Sequence, residues 1–528
     1  MPLSSSDPAA FRMDRRGVLI GLAATASACA NSPRVADSTR PLVEVESGVL
    51  TGIRTSRGDV FKGIPYAEPP VGPLRWKPPL RPLAWDGIRD ATQFGPASPQ
   101  GAPPGIADLT TVGGAPGPYS EDCLTLNVWA PTRIPDKRAP VVVWIHGGSF
   151  RMGAGSLPFY SGEAFARDGV VFVSINYRLG HFGYFAHPAL TAEAGPTGLF
   201  GNFAVMDQIA ALEWVQRNIQ AFGGDPANVT IMGESAGGAH VLTLLAVPAA
   251  RNLFHRAIVE SGGGWSPNPP LQLAEFQGLR VAAAAGVPAD TATPEALRAI
   301  ATENLVDPAG TFAPFIDGRL ITESLSVRLA NGEFADVPLL IGANSGEGSL
   351  LNYGGRAEAF ANSMPAERIA AARAVYPGLA GADLGAAMFG DAVFVGPARW
   401  VAEQASTGQP AYLYHFSYVE QARRAQWPLA PHGSEVAFVF ETLDKPLEGP
   451  PVATPADWRM ARTMHACWVA FIQTGRPHCP GGPEWPAYDP DTDALLEFAQ
   501  DGPVVRQKFL KPQLDWQQRL AAPLWGGK

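Results

Sequence analysis

The segment VTIMGESAGGAH, residues 229–240, decides the fold of this chain. Its first four residues form an apolar, β-branched run typical of a buried strand, and small and apolar residues after Gly237 indicate a helix. Between them, the pattern G-x-S-x-G places Ser235 at a sharp turn where flanking glycines remove clashing Cβ atoms. A bare match would also fit an ordinary turn, but the strand before it and the helix after it predict a nucleophile elbow.

Other apolar runs of strand length occur on both sides of this segment, and helical periodicity lies between them. Such alternation predicts an α/β fold with a mainly parallel central sheet flanked by helices. Short Pro- and Gly-punctuated runs between residues 43 and 126 indicate a small N-terminal β region, and residues 281–315 indicate a helical insertion. The strand-like runs are residues 140–145, 170–175, 257–259 and 337–342, and the clearest helical pattern spans 205–219.

Composition excludes several classes of protein. The 528 residues are 46% hydrophobic and 17% charged, which argues against a disordered chain, and the 57 glycines follow no collagen-like period. The formal charge of −9, without a clustered Lys/Arg stripe, argues against nucleic acid or an anionic membrane as partner. Length alone would suggest about three domains.

The N-terminus resembles an export signal. Arg15 and Arg16 precede a short apolar run and small residues, which resembles a twin-arginine signal over residues 1–28. The 14 small or apolar residues of 17–30 are too few to span a membrane. Cys29 follows an A-x-A cleavage pattern, so a lipid anchor there is the alternative to simple cleavage, and a cytoplasmic start with a chance Arg pair is the other. We therefore expect an exported protein, periplasmic or secreted.

A second Gly-rich loop follows the strand-like run 140–145. Its sequence HGGSF, residues 146–150, is similar to the oxyanion loop of esterases, although an ordinary turn with a structural His146 would also fit. The amides of Gly148 and Ser149, with that of Ala236 after the elbow, are the expected oxyanion-hole donors.

Further segments occur together in the order and spacing of one family. The chain from 43 to 488 resembles the type-B carboxylesterases, the cholinesterase-like branch of the α/β-hydrolase fold. The resemblance implies one catalytic domain, which we place at residues 43–528 after a linker of 29–42. The matching segments are FKGIPYA (61–67), SEDCLTLNV (120–128), NYRLG (176–180), Gly201-Asn202 with Asp207-Gln208, and FGGDP (222–226).

A serine nucleophile needs a histidine base that a carboxylate orients, and in this fold the chain order is Ser, acid, His. His432 lies in PHGSE (431–435), which matches the family's His-Gly-x-Glu motif. Glu347 lies in ANSGEG (343–348), at the end of a predicted strand, and matches the family's acidic residue. Asp317 is the rival acid, in a turn-like context. The other C-terminal histidines, His415, His465 and His478, have structural explanations in a strand, a helix and a loop.

The resemblance also implies roles for residues around this triad. Glu234 and Ser261 are expected to surround Ser235, Glu347 and His432 and to help hold Glu347. Arg75 with Glu121, and Arg178 with Asp207, are expected to be structural ion pairs.

Several residues depart from the family pattern or leave alternatives open. Cys123 lacks its usual partner because Ser98 stands at that position, so we expect a buried free thiol. Pairing of Cys467 with Cys479 depends on a Cα separation that the sequence cannot supply. His240, in the elbow helix, either packs in the core or lines the pocket.

The function implied is two-step ester hydrolysis on a small-molecule ester. No cofactor is expected, because the chain has no HExxH, CxxC or P-loop motif. The alternatives are a non-catalytic cholinesterase-like binding module, and an amidase or acyltransferase with the same triad. The ester and the oligomeric state are not predicted. Large aromatic residues that either line a gorge or fill the core are Phe150, Trp265, Phe315, Trp400 and Phe438.

Overall fold

A computed structural model describes residues 40–526, except for residues 103–107, 109, 111–112, 133–136, 352–355 and 447–448. The described residues belong to one compact unit, residues 39–528. The predicted export signal, Cys29 and all of the linker before residue 40 lie outside the described residues. Within the described part of the chain, the helices are all too short or too polar to cross a membrane.

The architecture is built on one large sheet. Eleven strands follow the order β14-β13-β12-β11-β10-β9-β7-β8-β6-β4-β3, and β1, β2 and β5 form a separate small sheet near the N-terminus. The strands are β1 Leu42–Val45, β2 Gly48–Thr51, β3 Ile53–Thr55, β4 Gly58–Pro65, β5 Ile88–Asp90, β6 Thr125–Ala130, β7 Ala139–Ile145, β8 Val171–Ile175, β9 Gly224–Glu234, β10 Arg256–Glu260, β11 Leu339–Asn344, β12 Ala411–Phe416, β13 Ala494–Ala499 and β14 Gly502–Gln507.

Helices cover the sheet and connect its parallel strands. Three lie between β10 and β11 and four between β11 and β12, which are the helical insertions. The helices are α1 Glu163–Arg167, α2 Gly180–Gly183, α3 Pro188–Ala194, α4 Phe203–Asn218, α5 Ala236–Ala246, α6 Leu271–Ala284, α7 Pro294–Arg298, α8 Leu325–Ala330, α9 Arg356–Asn362, α10 Ala366–Val375, α11 Gly381–Gly390, α12 Gly396–Ala405, α13 Val436–Val439, α14 Pro455–Thr474 and α15 Lys511–Ala521.

The predicted α/β fold with a mainly parallel sheet is confirmed. Seven neighbouring strands, from β13 to β8 in the sheet order, run parallel. The predicted strand-like runs are β7 to β11, whose side chains are almost all buried because helices cover both faces.

Strand register brings the carboxyl ends of the central strands to one edge of the sheet. Gly233 of β9 pairs with Ile145 of β7, Glu234 with Glu260 of β10, and Glu260 in turn with Gly342 of β11. The loops that follow these strands therefore meet at one place, where ligand sites of open α/β sheets form. Each loop carries one of the predicted site residues.

Four of the five large aromatic residues that either line a gorge or fill the core are buried in the core. Trp265, Phe315, Trp400 and Phe438 are all less than 5% exposed, and Trp265 and Trp400 pack against Trp525. For these four, packing in the core agrees with the structure. Phe150 is half-buried, beside the predicted oxyanion loop.

The free Cys123 and the two ion pairs expected from the sequence are present in the structure. Cys123 is buried and free, as predicted, and burial raises the pKa of its thiol to about 12. A disulfide joins Cys467 of α14 to Cys479, with a Cα separation of 4.6 Å. The two predicted ion pairs are present: Arg75 Nε donates to Glu121 at 2.6 Å, and Arg178 Nη2 to Asp207 at 2.7 Å.

Candidate active site

Ser235 occupies a strained turn between β9 and α5. Its φ of 56° and ψ of −123° lie outside the regions that a non-glycine residue normally adopts, and such strain collects at functional sites. The turn is fixed by the Ser235 N–H, which donates to the carbonyl of Glu260 at 2.8 Å. Glycine is required beside it, because a Cβ on Gly237 would lie 1.9 Å from the carbonyl oxygen of Ile145. The predicted elbow geometry is therefore present.

The loop after β7 turns back next to the elbow. Gly148 has a φ of +108°, and its carbonyl accepts hydrogen bonds from the amides of Arg151 and Met152, each at 3.1 Å. The amides of Gly148 and Ser149 donate to no acceptor in the described part of the chain. The amide of Ala236 begins α5 and has no acceptor within its helix. Three free donors therefore lie on the two loops beside Ser235.

His146 and His240 pack behind this loop. His146 Nδ1 lies 2.8 Å from the carbonyl oxygen of Gly147, and its ring stacks on Tyr177. His240 is fully buried, contacts the hydroxyl of Tyr184 through Nε2 and packs edge-on against Phe150. Burial lowers the pKa of His146 to about 4 and that of His240 to about 3, so both rings are neutral near pH 7. Both agree with a structural interpretation.

His432 and Glu347 form a close pair at the same edge of the sheet. His432 Nδ1 contacts Glu347 Oε2 in a hydrogen bond. The other carboxylate oxygen, Oε1, accepts from the hydroxyl of Ser261 at 2.5 Å and from the amide of Asn344 at 2.7 Å. Because Glu347 is 1% exposed and both oxygens are engaged, its orientation toward the imidazole is fixed.

The opposite ring nitrogen of His432, Nε2, lies near the carboxylate of Glu234 but forms no hydrogen bond among the described residues. His432 Nε2 is buried and has no hydrogen-bond partner among the described residues, and no hydrogen bond joins it to Ser235 Oγ there. The carboxylate of Glu234 approaches it, with Oε1 3.2 Å from Nε2. A Cβ on Gly147 would lie 2.7 Å from the same carboxylate and 3.1 Å from Ser235 Cβ. Ser235, His432 and the loop after β7 therefore all lie close to Glu234.

Glu234 differs from its expected position. It lies against His432 Nε2 and not on Glu347, whose hydrogen bonds come from Ser261 and Asn344. Electrostatics favour this arrangement because two buried carboxylates repel, whereas each is attracted to an imidazolium. Ser261 does hold Glu347, as expected.

Charges in the site shift the pKa of His432 upward. Burial lowers it, but the carboxylates of Glu347 and Glu234 and the Glu347 hydrogen bond outweigh burial and raise it to about 9. Burial raises the pKa of Glu234 to about 7, opposed by His432 and assisted by Glu347. Burial, together with the neighbouring carboxylates of Glu234 and Glu260, also raises the pKa of Glu435 well above its usual range. The site can thus stabilise a positively charged His432.

Asp317, the rival acid, forms its hydrogen bonds with residues other than His432. Its carboxylate accepts from Asn202 Nδ2 at 2.6 Å and from the amides of Arg319 and Leu320, each at 2.7 Å. These bonds close a turn between α7 and α8, and none of them reaches His432. The turn-like interpretation of Asp317 matches the geometry.

Two residues of the site, Phe394 and Glu435, are not assigned a role by the sequence. The ring of Phe394, in a π-helical turn Asp391–Val395, lies 4.8 Å from the His432 ring, centroid to centroid. Glu435 is fully buried and contacts Asn344, beside Glu347. Glu435 is the last residue of the His-Gly-x-Glu motif, so the sequence could have pointed to it. Phe394 lies in an isolated π-turn, which has no sequence signature.

In the described part of the chain, one group of side chains could hold a metal ion, and it contains none of the predicted site residues. Ligand atoms of Asp168, Glu441 and His465 lie within 4.8 Å of one another. Arg167 lies between the two carboxylates, with nitrogens 2.7 Å from Glu441 and 2.6 Å from Asp168. The guanidinium already supplies positive charge to this cluster.

An extended, mainly parallel sheet with a serine in a strand-to-helix turn, a Gly-rich loop beside it and a His–Glu pair at the carboxyl edge is typical of the α/β-hydrolases. Solved structures agree: two structures of PNB esterase superpose with TM-scores of 0.76 and 0.78, at 31% and 32% identity, covering 90% of this chain and 99% of theirs.

Sequence comparison narrows the class. The profile of the carboxylesterase family matches residues 39–375 and 382–516. The chain is 35% identical to fumonisin B1 esterase of Sphingopyxis macrogoltabida, over 88% of each chain. It is also 35% identical to para-nitrobenzyl esterase of Bacillus subtilis, over 87% of this chain and 94% of that one. The chain belongs to the carboxylesterase family and is a carboxylic ester hydrolase.

Proposed function

We propose that the protein is a serine carboxylesterase in which Ser235 is the nucleophile, His432 the base and Glu347 the acid. The observation that supports this most directly is the Glu347–His432 pair, held at the strand ends beside a strained Ser235. His432 Nε2 has no hydrogen-bond partner among the described residues and lies 3.2 Å from the carboxylate of Glu234, the residue before Ser235. The small-molecule substrate is an ester, as in the named relatives.

In the first step, His432 Nε2 takes the proton of Ser235 as the hydroxyl oxygen attacks the ester carbonyl carbon. The carbonyl oxygen becomes an oxyanion, to which the amides of Gly148, Ser149 and Ala236 donate. His432 then gives its proton to the leaving alcohol, and the C–O bond of the ester breaks. The acyl group remains on Ser235.

The second step returns the enzyme to its starting state. Water loses a proton to His432 and attacks the acyl carbon, and the oxyanion again receives the three amide hydrogen bonds. Collapse of this intermediate releases the carboxylic acid and gives the proton back to Ser235. Glu347 stabilises the imidazolium that forms twice in the cycle, and no metal ion or cofactor takes part.

Replacing Ser235 by alanine tests the assignment. Purified Ser235→Ala should keep the fold and thermal midpoint but lose release of 4-nitrophenol from 4-nitrophenyl butyrate. Labelling of the wild-type protein by an organophosphate should map to Ser235 by mass spectrometry. Undiminished hydrolysis in the variant would refute the proposal. A wild-type protein without turnover or labelling would favour the binding module, and acyl transfer to an added alcohol or cleavage of an anilide would favour the other rivals.

We also propose that residues 1–28 are an export signal, with 43–528 as the catalytic domain. The support is the paired Arg15 and Arg16 before a short apolar run. Mass spectrometry of the mature protein from an expressing bacterium distinguishes a new N-terminus at Cys29, lipid-modified Cys29 and an intact start. An intact start in the exported fraction would refute cleavage.

A further inference from the structure

Arg151 lies directly after the oxyanion loop. Its amide closes the turn by donating to the carbonyl of Gly148, at 3.1 Å. This bond fixes the arginine backbone three residues from a proposed oxyanion donor. Residues joined in such a turn have Cα atoms within about 7 Å of each other. The backbone of Arg151 therefore lies close to the proposed oxyanion hole.

The guanidinium of Arg151 lacks a counter-ion among the described residues. It forms no ion pair in the described part of the chain, and its one hydrogen bond is a long one, from Nη1 to the carbonyl of Gly310 at 3.4 Å. Its Nε is buried and has no partner among the described residues. By contrast, the buried arginines Arg75 and Arg178 each form ion pairs with a carboxylate.

Charged residues near Arg151 do not replace the missing ion pair. Arg356 repels it, Asp307 attracts it, and burial together with Arg356 lowers the pKa of Arg151. The side chain of Asp307 is 45% exposed, and its carboxylate lies 3.9 Å from Nε2 of His181. Arg356 is exposed and also forms no ion pair within the described residues. Two cations therefore share one region of a chain whose net charge is negative.

Partly burying a guanidinium without a counter-ion costs desolvation free energy, and for this reason buried charges in proteins are normally paired. Its planar N–H fork fits a carboxylate in a bidentate manner. We propose that Arg151 binds a carboxylate carried by the substrate, so that the preferred substrates are esters with a second, ionised acid group. This inference rests on the proposed esterase function and names the class of ester.

Matched pairs of esters test the inference on the full-length enzyme. One pair places the charge on the acyl side, monoethyl adipate against ethyl hexanoate, and the other on the alcohol side, 4-(butanoyloxy)butanoate against butyl butanoate. Chromatography of the released products gives kcat/KM for each. The measured quantity is the ratio of kcat/KM for the anionic ester to that for its neutral partner, which cancels general damage to the enzyme.

Three variants are compared with the wild type. Arg151→Gln should lower the ratio for at least one pair by about 10- to 100-fold, the usual effect of a hydrogen bond to a charged group. Arg151→Lys should keep part of the ratio because it keeps the charge. Arg54→Gln, which removes an exposed arginine paired with Asp59 on β3 and β4, is the matched control and should leave the ratio unchanged.

The effect should appear mainly in KM and should weaken as added salt screens the charge. The pair that responds identifies the side of the ester that bears the carboxylate. A ratio unchanged in Arg151→Gln for both pairs would overturn the inference, as would an equal fall for anionic and neutral esters. Failure of the esterase proposal itself is seen separately, as hydrolysis of the neutral esters that survives in Ser235→Ala.

Discussion

Replacing Glu347 by glutamine should disable His432 by forcing the wrong tautomer. In the native site Oε1 accepts two hydrogen bonds, from Ser261 and from the amide of Asn344. The glutamine oxygen must take this position, because an NH₂ group there would face two donors. The amide nitrogen then occupies the place of Oε2 and donates to His432 Nδ1. The imidazole proton moves to Nε2, which can no longer accept the proton of Ser235.

The magnitude follows from this geometry. Loss of a single charge-assisted hydrogen bond would cost about 10- to 100-fold in rate. A locked wrong tautomer removes the base altogether, and in serine-hydrolase triads such a change lowers kcat by about 10⁴-fold. Because two hydrogen bonds hold the amide orientation, we expect Glu347→Gln to lose about 10⁴ in kcat, with KM little changed.

Stopped-flow release of 4-nitrophenol from 4-nitrophenyl butyrate measures the loss of kcat, and thermal unfolding checks the fold. The double variant Glu347→Gln with Ser261→Ala should regain part of the activity, since one of the two constraints on the amide is gone. Asp317→Asn, at an acid that does not touch His432, is the matched control and should keep its rate. A loss of only tenfold in Glu347→Gln, or none of it recovered in the double variant, would refute the tautomer argument.

Three other outcomes follow from the structure. If His432 is the base, as proposed, it must be neutral to act, and its pKa is raised to about 9. We therefore expect kcat/KM to rise with pH toward that value, and Glu234→Gln to move the inflection of the pH profile to lower pH. A profile unmoved by Glu234→Gln would contradict the contact at Nε2. Gly237→Ala places a Cβ 1.9 Å from a backbone carbonyl of β7 and should lower the free energy of unfolding by about 3 kcal/mol or more, measured by urea denaturation. The disulfide closes a segment of 12 residues, so replacing both Cys467 and Cys479 by serine should cost about 3 kcal/mol of unfolding free energy; an unchanged urea midpoint would show that the bond contributes nothing.

Apolar runs made the central strands predictable, because strands buried on both faces must be apolar at every position. The limits were less predictable: β9 begins at Gly224, although its polar first residues carry no strand pattern. Sheet pairing, not propensity, extends it, since Gly224 pairs with Ala139 of β7.

At the site, motifs indicated the residues but not all of their contacts. Glu234 next to Ser235 could be named from the sequence, yet only the fold shows that its carboxylate lies against His432 Nε2. The contact between Phe394 and His432 depends on a π-turn inside a helical insertion. The unpaired state of Arg151 depends on which carboxylates the fold leaves out of reach, and no local pattern reveals that.

The gathering of the site at one sheet edge has a consequence for the protein during its synthesis. His432 emerges from the ribosome 197 residues after Ser235, and β12, which neighbours β11, is also made late. At a synthesis rate of about 5 to 20 residues per second, His432 is added roughly 10 to 40 s after Ser235. Contacts between distant residues must then form before the site exists, so a nascent or truncated chain that ends before residue 432 should carry the proposed nucleophile but show no hydrolase activity.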